Sequence, residues 1–505
     1  MHVHVIAVAG TGMGSLAGLL KSMGHDVTGS DVAFDPPMGP ALERWGVRCL
    51  QGFDAEHLYC GPRGDSERPG TPTGRERRPA PDLVVVGNVC RKNNPEATAA
   101  FEANMDVTHI AGALQRLVFP RTSPLVVAGT HGKTTTSAMA AHLLEAAGRN
   151  PGFLIGGLPK NFSTSFRAPH LGPRRLTSDG QLRSQPFVIE GDEYDTAYFE
   201  KTAKFLHYQA DVAIITSIEH DHIDIYPTEE SYLEAFRRFV AGMPKTGLIV
   251  ANAADRRVVD IVTKHAVAEV AWFALQGEET HGHSPHWLAA PVTSDAKGTL
   301  FELFAGGVAC GRCTLAAAGR HNLKNALAAV GAVAQGYGAR LDVLGSALAS
   351  FAGVGRRQDL IAQPRGIFVY DDFAHHPTAV HETLLAFRQK HPSARLFAVF
   401  EPRSATACRN IHQAAYESCW GAADEIHLAP LGRELPADER LDTEKIAAAL
   451  RGQGKVATAH RALDDILIQL VERAKPGDAI ALLSNGAFGG IHDKLVRALE
   501  RQEPN

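Results

Sequence analysis

The chain has 505 residues, too many for a single hydrophobic core, so two or three domains are expected. It is 45% hydrophobic and 21% charged, and its formal net charge of -4 argues against nucleic acid or an anionic membrane surface as the main partner. The N-terminus predicts a strand and not a signal peptide, no apolar run is long enough to span a bilayer, and the seven cysteines are scattered. We therefore expect a cytoplasmic protein whose cysteines stay reduced.

A glycine turn follows the first predicted strand. Residues 3–8 are apolar, residues 10–14 have the sequence GTGMG, and a second strand is predicted at 26–30, ending at Asp31. This arrangement is similar to a dinucleotide-binding turn, except that Ser15 stands at the third glycine position. The turn suits the pyrophosphate of any nucleotide, so an NAD-dependent oxidoreductase is one open alternative.

The next stretch, residues 61–81, is rich in proline, glycine and arginine and has almost no apolar side chains. Such a segment cannot bury a core, so it is expected to be a mobile surface insertion. Strand character resumes at 83–86, and a helix is expected after Asn94 and Pro95. The first domain is expected to end near Arg121.

The most informative stretch is residues 126–137, with the sequence VVAGTHGKTTTS. An apolar run is followed by Gly129 and Gly132, then by Lys133, Thr134 and an alanine-rich run that predicts a helix. Backbone N-H groups converge in such a loop and at the helix N-terminus, which suits a polyphosphate. Lys133 would contact the outer phosphates and Thr134 a Mg²⁺ ion. The glycines are closer together than in the common GxxxxGK[ST] pattern, and a glycine turn that binds nothing is the alternative.

An acidic cluster ends the next informative strand. Residues 187–195, FVIEGDEYD, place Glu190 after an apolar run, where a metal ligand beside a phosphate loop is expected. Asp192 and Glu193 are alternative ligands, and a solvated acidic turn is the alternative to any metal role.

A second apolar strand, predicted at 212–216, leads to the sequence EHDHID at 219–224. The repetition of a strand that ends in acidic residues favours a second group beside a metal, and we favour His222. A hydrated polar turn is the alternative.

A helix is predicted from Gly319 onward. Asn322 and Asn325 are three residues apart, so they lie on one helix face and can contact a purine edge; a helix cap and a surface amide are the alternatives. Cys310 and Cys313 form a CxxC pair without a second pair or a nearby histidine. A reverse turn between two short strands is therefore expected there, and not a zinc site.

The third segment predicts another open, largely parallel sheet. Its strands are expected at 367–370, 396–400, 425–428 and 479–483. Polar clusters follow three of them, at 371–377, 401–404 and 484–490. Ligands bind at the carboxyl ends of such strands, so all three are candidate binding loops. The sequence GVGRR at 353–357 predicts an interdomain turn that carries two arginines.

Six motifs together resemble, in content and order, the Mur ligases, the ATP-dependent enzymes that add amino acids or peptides to UDP-N-acetylmuramic acid. They are GTHGKTT at Gly129, EGDEYD at Glu190, EHDHID at Glu219, GRHNLKNALAA at Gly319, GVGRR at Gly353 and DDFAHHP at Asp371. The resemblance implies an α/β fold of three domains. These would be a Rossmann-like UDP-sugar-binding domain at 1–121, a central ATP-binding domain with a P-loop ATPase-type mixed sheet at 122–353, and a C-terminal Rossmann-like domain at 354–505 that binds the incoming peptide.

Within the family, DDFAHHP and the absence of lysine from residues 231–240 resemble the branch that contains the L-alanine-adding ligase. TGSDVAFDPPM at Thr28, FEPRSAT at Phe400 and SNGAFGGIHDKL at Ser484 resemble a ligase for the recycled tripeptide L-Ala-γ-D-Glu-meso-diaminopimelate. The resemblance implies that ATP activates the carboxylate of UDP-N-acetylmuramate as an acyl phosphate, which the tripeptide amine then attacks. L-alanine as the amine and a non-catalytic P-loop regulator are the alternatives.

The resemblance also implies roles for individual residues. The catalytic groups would be Lys133, Glu190, His222 and His375. The residues that contact ATP would be Gly129, Thr130, His131, Gly132, Lys133, Thr134, Thr135, Asn322, Asn325, Arg357 and Asp372. Mg²⁺ would be held by Thr134, Glu190 and His222. The UDP-sugar would bind to Gly12, Met13, Gly14, Ser15 and Asp31, and the tripeptide to Arg403, Ser404, Asn485 and His492. The expected cofactors are ATP and Mg²⁺, and the expected partners are small-molecule substrates, with no nucleic acid or membrane, in a monomer or weak homo-oligomer.

Overall fold

The computed structural model describes residues 1–60, 79–170, 185–295 and 297–501, together with the backbone of the short strands Arg175–Leu176 and Leu182–Arg183. Most of the surface insertion expected at 61–81 lies outside the described residues. The described residues form three large sheets flanked by helices, which confirms the α/β fold of three domains. No helix within the described ranges is both long and apolar enough to cross a membrane.

The N-terminal sheet is parallel throughout, with the first strand of the chain in its middle. In sheet order its strands are Arg48–Gln51, Asp26–Asp31, His2–Ile6, Leu83–Val86 and Val107–His109. The surrounding helices are Thr11–Ser22, Met38–Arg44, Pro95–Glu102 and Ile110–Leu117, with 3-10 turns at Ala55–Tyr59 and Phe119–Arg121. Val5 and Ile6 face opposite hydrophobic cores, as expected for a sheet covered on both faces. The glycine turn follows the middle strand, where the strand order reverses and ligands bind in such sheets.

The central sheet is mixed, as predicted. In sheet order its strands are Val308–Leu315, Gly298–Ala305, Trp287–Asp295, Glu269–Leu275, Leu248–Asn252, Val212–Ile215, Thr122–Ala128, Gln185–Gly191, Gly152–Leu154 and Phe166–Arg167. Its interior strands are parallel and the strands at both edges are antiparallel. The strands that precede the phosphate loop and the two acidic clusters are direct neighbours, so these three loops meet at one edge of the sheet.

Five helices accompany the central sheet. They are Lys133–Ala146, Glu229–Ala241, Arg256–His265, Arg320–Tyr337 and Leu341–Leu348. A separate antiparallel pair, Asp195–Ala197 with Glu200–Ala203, precedes a 3-10 turn at Lys204–His207. The prediction of a reverse turn at Cys310 and Cys313 is wrong. Both cysteines lie within the strand Val308–Leu315, and the turn comes earlier, at the positive-φ residues Gly306 and Gly307, because glycine adopts that backbone conformation readily.

The C-terminal sheet is parallel except for one edge strand. In sheet order its strands are Asp359–Ala362, Phe368–Asp372, Ala479–Leu483, Leu396–Phe400, Glu425–Leu428 and Val456–Ala459. Its helices are Pro377–Lys390, Gln413–Tyr416, Thr443–Gly452, Leu463–Arg473 and Ile491–Arg501, with 3-10 turns at Pro364–Gly366, Asn410–His412 and Phe488–Gly490. The three strands followed by polar clusters are adjacent in the sheet, so these clusters share one edge.

Candidate active site

The loop between the strand Thr122–Ala128 and the helix Lys133–Ala146 has the geometry of a phosphate-binding turn. Gly129 and Gly132 both adopt positive φ, at +127° and +80°. A Cβ atom on Gly132 would lie 2.4 Å from Oδ1 of Asn325. The loop therefore needs glycine at this position for two reasons, its backbone conformation and the close approach of Asn325.

Lys133, at the start of this helix, is buried and forms an ion pair. Its Nζ lies 2.9 Å from Oε2 and 3.0 Å from Oε1 of Glu193, and donates to the carbonyl of Gly129 at 2.8 Å. Burial by itself would lower the pKa of Lys133, but the negative charge of Glu193 outweighs it and the pKa is raised. Burial likewise favours a high pKa for Glu193, but the charge of Lys133 lowers it to about 2. Both groups are therefore charged.

Glu190 lies beside Thr134, as expected for two ligands of one metal. Oε2 of Glu190 accepts a hydrogen bond from the Thr134 hydroxyl at 3.0 Å, and Oε1 accepts one from the backbone N-H of Gly156 at 2.6 Å. Burial, with the nearby charge of Asp192, raises the pKa of Glu190. A carboxylate and a hydroxyl are the oxygen donors that Mg²⁺ prefers, so these residues fit the expected ion.

The two alternative acids have other partners. The carboxylate of Asp192 lies 3.2 Å from Nζ of Lys204. Glu193 is paired with Lys133 and also lies 3.2 Å from Nε2 of His222. One buried carboxylate thus connects the phosphate-loop lysine to the histidine predicted to lie beside the metal, a link that the sequence pattern did not indicate.

The two candidate catalytic histidines approach the same acidic turn from different domains. His222 has a positive φ of +54°, and hydrogen bonding to Glu193 raises its pKa although burial alone would lower it. His375, from the C-terminal domain, has its Nε2 3.9 Å from Oδ2 of Asp221. Burial lowers the pKa of His375. The turn at Asp221 is therefore where the central and C-terminal domains meet.

A cavity of about 380 Å³ opens beside the phosphate loop. Seven of the residues assigned to ATP line it: His131, Gly132, Thr135, Asn322, Asn325, Arg357 and Asp372. Five come from the central domain and two from the C-terminal segment, so the cavity lies between domains. The structure thus brings together residues that are up to 241 positions apart in the chain.

Polar contacts hold the walls of this cavity in place. Asn322 donates to the carbonyl of Ala318 at 2.7 Å, while the carboxylate of Asp372 accepts backbone N-H groups from Gln358 and Ala374 at 2.7 and 2.8 Å. Two of the remaining residues assigned to ATP also have polar contacts. The Thr134 hydroxyl accepts a hydrogen bond from Nη2 of Arg357 at 3.4 Å, and the Thr130 hydroxyl donates to the carbonyl of Glu219 at 2.9 Å. The carbonyl of Ser217 accepts the N-H of Thr130 at 2.8 Å.

The residues assigned to the UDP-sugar lie together around the N-terminal glycine turn. Gly12, Met13, Gly14 and Ser15 belong to the first turns of the helix Thr11–Ser22. The side chains of Met13 and Ser15 are buried, and the N-H of Gly14 already donates to the carbonyl of Gly10 at 2.8 Å, so the earlier backbone N-H groups of the helix are the donors for a diphosphate. The Ser15 hydroxyl lies 2.8 Å from that of Ser165 in the central domain, and Asp31 accepts the N-H of Ala9 at 2.8 Å.

The residues assigned to the tripeptide lie at the carboxyl edge of the C-terminal sheet. The side chain of Arg403 packs over Gly486: a Cβ atom added to Gly486 would lie 2.1 Å from Cδ of Arg403. Nη1 of Arg403 lies 3.5 Å from Oε1 of Glu401. Oδ1 of Asn485 is buried without a hydrogen-bond partner among the described residues. Nε2 of His492 lies 3.2 Å from Oδ1 of Asp371.

Ser404 and Arg356 complete this edge. The Ser404 hydroxyl accepts the N-H of Ala407 at 3.0 Å, in a narrow crevice beside Asp221. Arg356 donates to the carbonyls of Ser484 and Gly486 at 2.9 and 2.7 Å. Sequence reasoning singled out Arg357 and missed this organising role of Arg356, although the GVGRR motif contains both.

Comparison with protein families accounts for all three domains. Residues 2–120 match the "Mur ligase family, catalytic domain" model, residues 127–333 the "Mur ligase middle domain" and residues 356–486 the "Mur ligase, glutamate ligase domain". The glycine turn at 10–14 thus lies in a Mur ligase domain, which argues against an NAD-dependent oxidoreductase.

Individual relatives span the whole chain. The UDP-N-acetylmuramate–L-alanyl-γ-D-glutamyl-meso-2,6-diaminoheptandioate ligase of Escherichia coli strain K12 is 37% identical, with 99% of each chain covered. The UDP-N-acetylmuramate–L-alanine ligase of Roseiflexus sp. strain RS-1 is 32% identical, with 99% of this chain and 100% of the relative covered. The crystal structure of a murein peptide ligase from Psychrobacter arcticus superposes with a TM-score of 0.70 at 33% identity, covering 100% of both chains. The chain therefore belongs to the Mur ligase family and is an ATP-dependent ligase that forms amide bonds.

Proposed function

We propose that this enzyme joins UDP-N-acetylmuramate to the recycled tripeptide L-Ala-γ-D-Glu-meso-diaminopimelate, with release of ADP and phosphate. The observation that carries the proposal is the full-length similarity. The relative named for the diaminoheptandioate-containing substrate is 37% identical, whereas the relative named for L-alanine is 32% identical over the same share of this chain. The reaction would serve peptidoglycan recycling.

The phosphate loop and its neighbours would carry the activation step. The lactyl carboxylate of UDP-N-acetylmuramate attacks the terminal phosphate of ATP, and the resulting acyl phosphate is then attacked by the tripeptide amine. Lys133 would stabilise negative charge on the transferring group, and Thr134, Glu190 and His222 would hold Mg²⁺. Mg²⁺, when bound, neutralises charge on the phosphates. Glu193 would supply a fixed negative charge beside Lys133 and His222.

The other ligands would occupy the remaining loops. Asn322 and Asn325 would contact adenine, and Arg357 and Asp372 the phosphates and ribose, because they line the cavity beside the phosphate loop. The N-terminal glycine turn and Asp31 would bind UDP. Arg403, Ser404, Asn485 and His492 would bind the tripeptide, whose carboxylates need cationic and amide donors. Alignment of the three reactants in this way would lower the activation free energy of the reaction by roughly 7 to 11 kcal/mol.

The division into domains at 1–121, 122–353 and 354–505 is part of this proposal. It is supported by the family matches and by the first residue of the central sheet, Thr122. The cytoplasmic location and the monomeric or weakly oligomeric state stay predictions.

An assay with two amines tests the function. The enzyme is incubated with ATP, Mg²⁺ and UDP-N-acetylmuramate plus either the tripeptide or L-alanine, and ADP release and product mass are measured. We expect kcat/KM for the tripeptide to exceed that for L-alanine by at least about tenfold, which corresponds to about 1.4 kcal/mol. A preference for L-alanine would identify an L-alanine-adding ligase, and the absence of amine-dependent ADP release would identify a non-catalytic protein.

A further inference from the structure

Three side chains of the metal-binding type meet where the phosphate loop contacts the C-terminal domain. Nε2 of His131 lies 2.8 Å from Oε2 of Glu219, and Nδ1 of His376 lies 3.3 Å from the same oxygen. His131 belongs to the phosphate loop, Glu219 follows the strand Val212–Ile215, and His376 precedes the helix Pro377–Lys390. All three candidate ligand atoms lie within 4.8 Å of one another.

These separations are close to those of a tetrahedral zinc site. Bonds of about 2.0–2.2 Å in a tetrahedron place neighbouring ligand atoms about 3.4 Å apart. The observed separations of 2.8 and 3.3 Å lie about 0.6 and 0.1 Å below that value, and the two histidine nitrogens lie within 4.8 Å of each other. Two imidazoles and one carboxylate form a donor set that late first-row divalent cations accept.

The surroundings of His376 favour ligation through Nδ1. His376 is buried, and its Nε2 has no hydrogen-bond partner within the part of the chain that the structure describes. Nδ1 accepts a long hydrogen bond of 3.4 Å from the N-H of Thr378 and faces Oε2 of Glu219 at 3.3 Å, so it is the ring nitrogen that points toward the other two ligand atoms. A cation at Nδ1 would therefore replace a weak interaction.

We propose that His131, Glu219 and His376 form a binding site for Zn²⁺ or a similar late first-row divalent cation, distinct from the Mg²⁺ site. Its donors include two nitrogens, whereas Mg²⁺ prefers an octahedron of oxygens, so the two sites select different ions. Bound Zn²⁺ would tie the phosphate loop to the C-terminal domain and hold the two domains together.

A second cluster of the same composition provides a matched control. Nε2 of His109 lies 3.1 Å from Oε2 of Glu200, and His207 lies 3.5 Å from the other oxygen. Nδ1 of His109, however, accepts the N-H of Gly112 at 3.1 Å as a helix cap. That bond fixes the proton on Nε2, which donates to Glu200 and has no lone pair for a metal. Among the described residues no N-H caps Nδ1 of His131, so that ring can carry its proton on Nδ1 and bind a cation through Nε2.

The test measures Zn²⁺ affinity of the full chain by competition with a zinc-binding indicator in excess Mg²⁺. We expect His376→Ala and His131→Ala each to weaken Zn²⁺ binding by at least about tenfold, because loss of a supporting partner alone costs that much. His207→Ala and Glu190→Gln should retain the wild-type affinity. Two ligand variants are used because His376 also caps a helix, and circular dichroism verifies that each is folded.

Cobalt gives an independent measurement. Co²⁺ in a tetrahedral site absorbs visible light far more strongly than octahedral Co²⁺, and we expect this absorption in the wild type and its loss in His376→Ala. Equal Zn²⁺ affinity in all variants, or a loss confined to His207→Ala or Glu190→Gln, would overturn the proposal. These binding measurements do not depend on the proposed amine substrate.

Discussion

Nζ of Lys133 and Oε2 of Glu193 form a buried ion pair at 2.9 Å. Glu193 is fully buried and also contacts His222 at 3.2 Å. Two charges are removed from water only when their geometry compensates for desolvation, so this pair couples the phosphate loop to the neighbouring acidic strand end. Changes at either residue should therefore affect both stability and catalysis.

Lys133→Ala should abolish ligation, with a loss of at least about hundredfold in kcat, because a cation that stabilises transition-state charge is removed. It should also destabilise the central domain by about 3 kcal/mol, since Glu193 keeps a buried charge without its main partner. Product formation and thermal unfolding measure the two effects, and UDP-sugar binding should persist.

A second substitution separates these effects. Glu193→Gln in the Lys133→Ala background should recover part of the lost Tm, because it removes the uncompensated charge, while activity stays absent. Turnover near the wild-type rate in Lys133→Ala, or a further fall in Tm in the double variant, would contradict this account.

Glu190→Gln should raise the Mg²⁺ concentration that gives half of the maximal rate by about 10- to 100-fold, because an anionic oxygen ligand becomes a neutral amide. Asp192→Asn is the matched control, since its carboxylate pairs with Lys204 and not with Thr134. Initial rates across a Mg²⁺ titration measure the effect. If Asp192→Asn shows the larger loss, the metal ligand is Asp192.

Gly132→Ala should greatly reduce nucleotide binding. The new Cβ would meet Oδ1 of Asn325 at 2.4 Å, and the backbone has a φ of +80°. Gly148→Ala, after the far end of the same helix, has a φ of +69° but no atom within 4 Å of the added Cβ. Both variants should lose about 1 kcal/mol of stability from strain, but only Gly132→Ala should lose affinity for an ATP analogue in calorimetry. Equal affinities would show that the loop tolerates a side chain there.

Protonation of His460 in mild acid should lower the free energy of unfolding. Burial, with the charge of neighbouring His427, lowers the pKa of His460 from 6.5 to about 4. Between about pH 4 and pH 6.5 the unfolded chain therefore binds a proton at this residue that the folded chain excludes. The free energy of unfolding is highest above about pH 6.5 and falls as the pH is lowered toward about 4. The effect is on the order of 1 kcal/mol per pH unit in that window.

Thermal unfolding over this pH range tests the assignment. His460→Gln should flatten the fall in Tm, whereas His286→Gln, at an exposed histidine, should follow the wild type. A steeper fall in His460→Gln would show that the imidazole is protonated in the folded protein.

Much of the architecture was predictable because local patterns carry it. The phosphate loop, the acidic strand ends at Glu190 and His222, and the amides of Asn322 and Asn325 all follow from a strand, a turn and a helix in sequence. Their convergence was also predictable in outline, since the carboxyl ends of parallel strands share an edge. The strand that contains Cys310 and Cys313 was missed because a short CxxC pattern does not locate the nearby turn.

The amino-acid sequence alone thus determined the α/β class, the three domains, the family and the positions of the loops that we propose bind ligands. Only the tertiary structure decided which side chains pair: Glu193 with Lys133 from 60 residues away, Asp192 with Lys204, and His376 with Glu219 and His131 across a domain boundary. The reason is physical. Loop position depends on short-range backbone preferences and hydrophobic periodicity, whereas the partner of a buried charge depends on how separate domains pack and on which groups desolvation forces together.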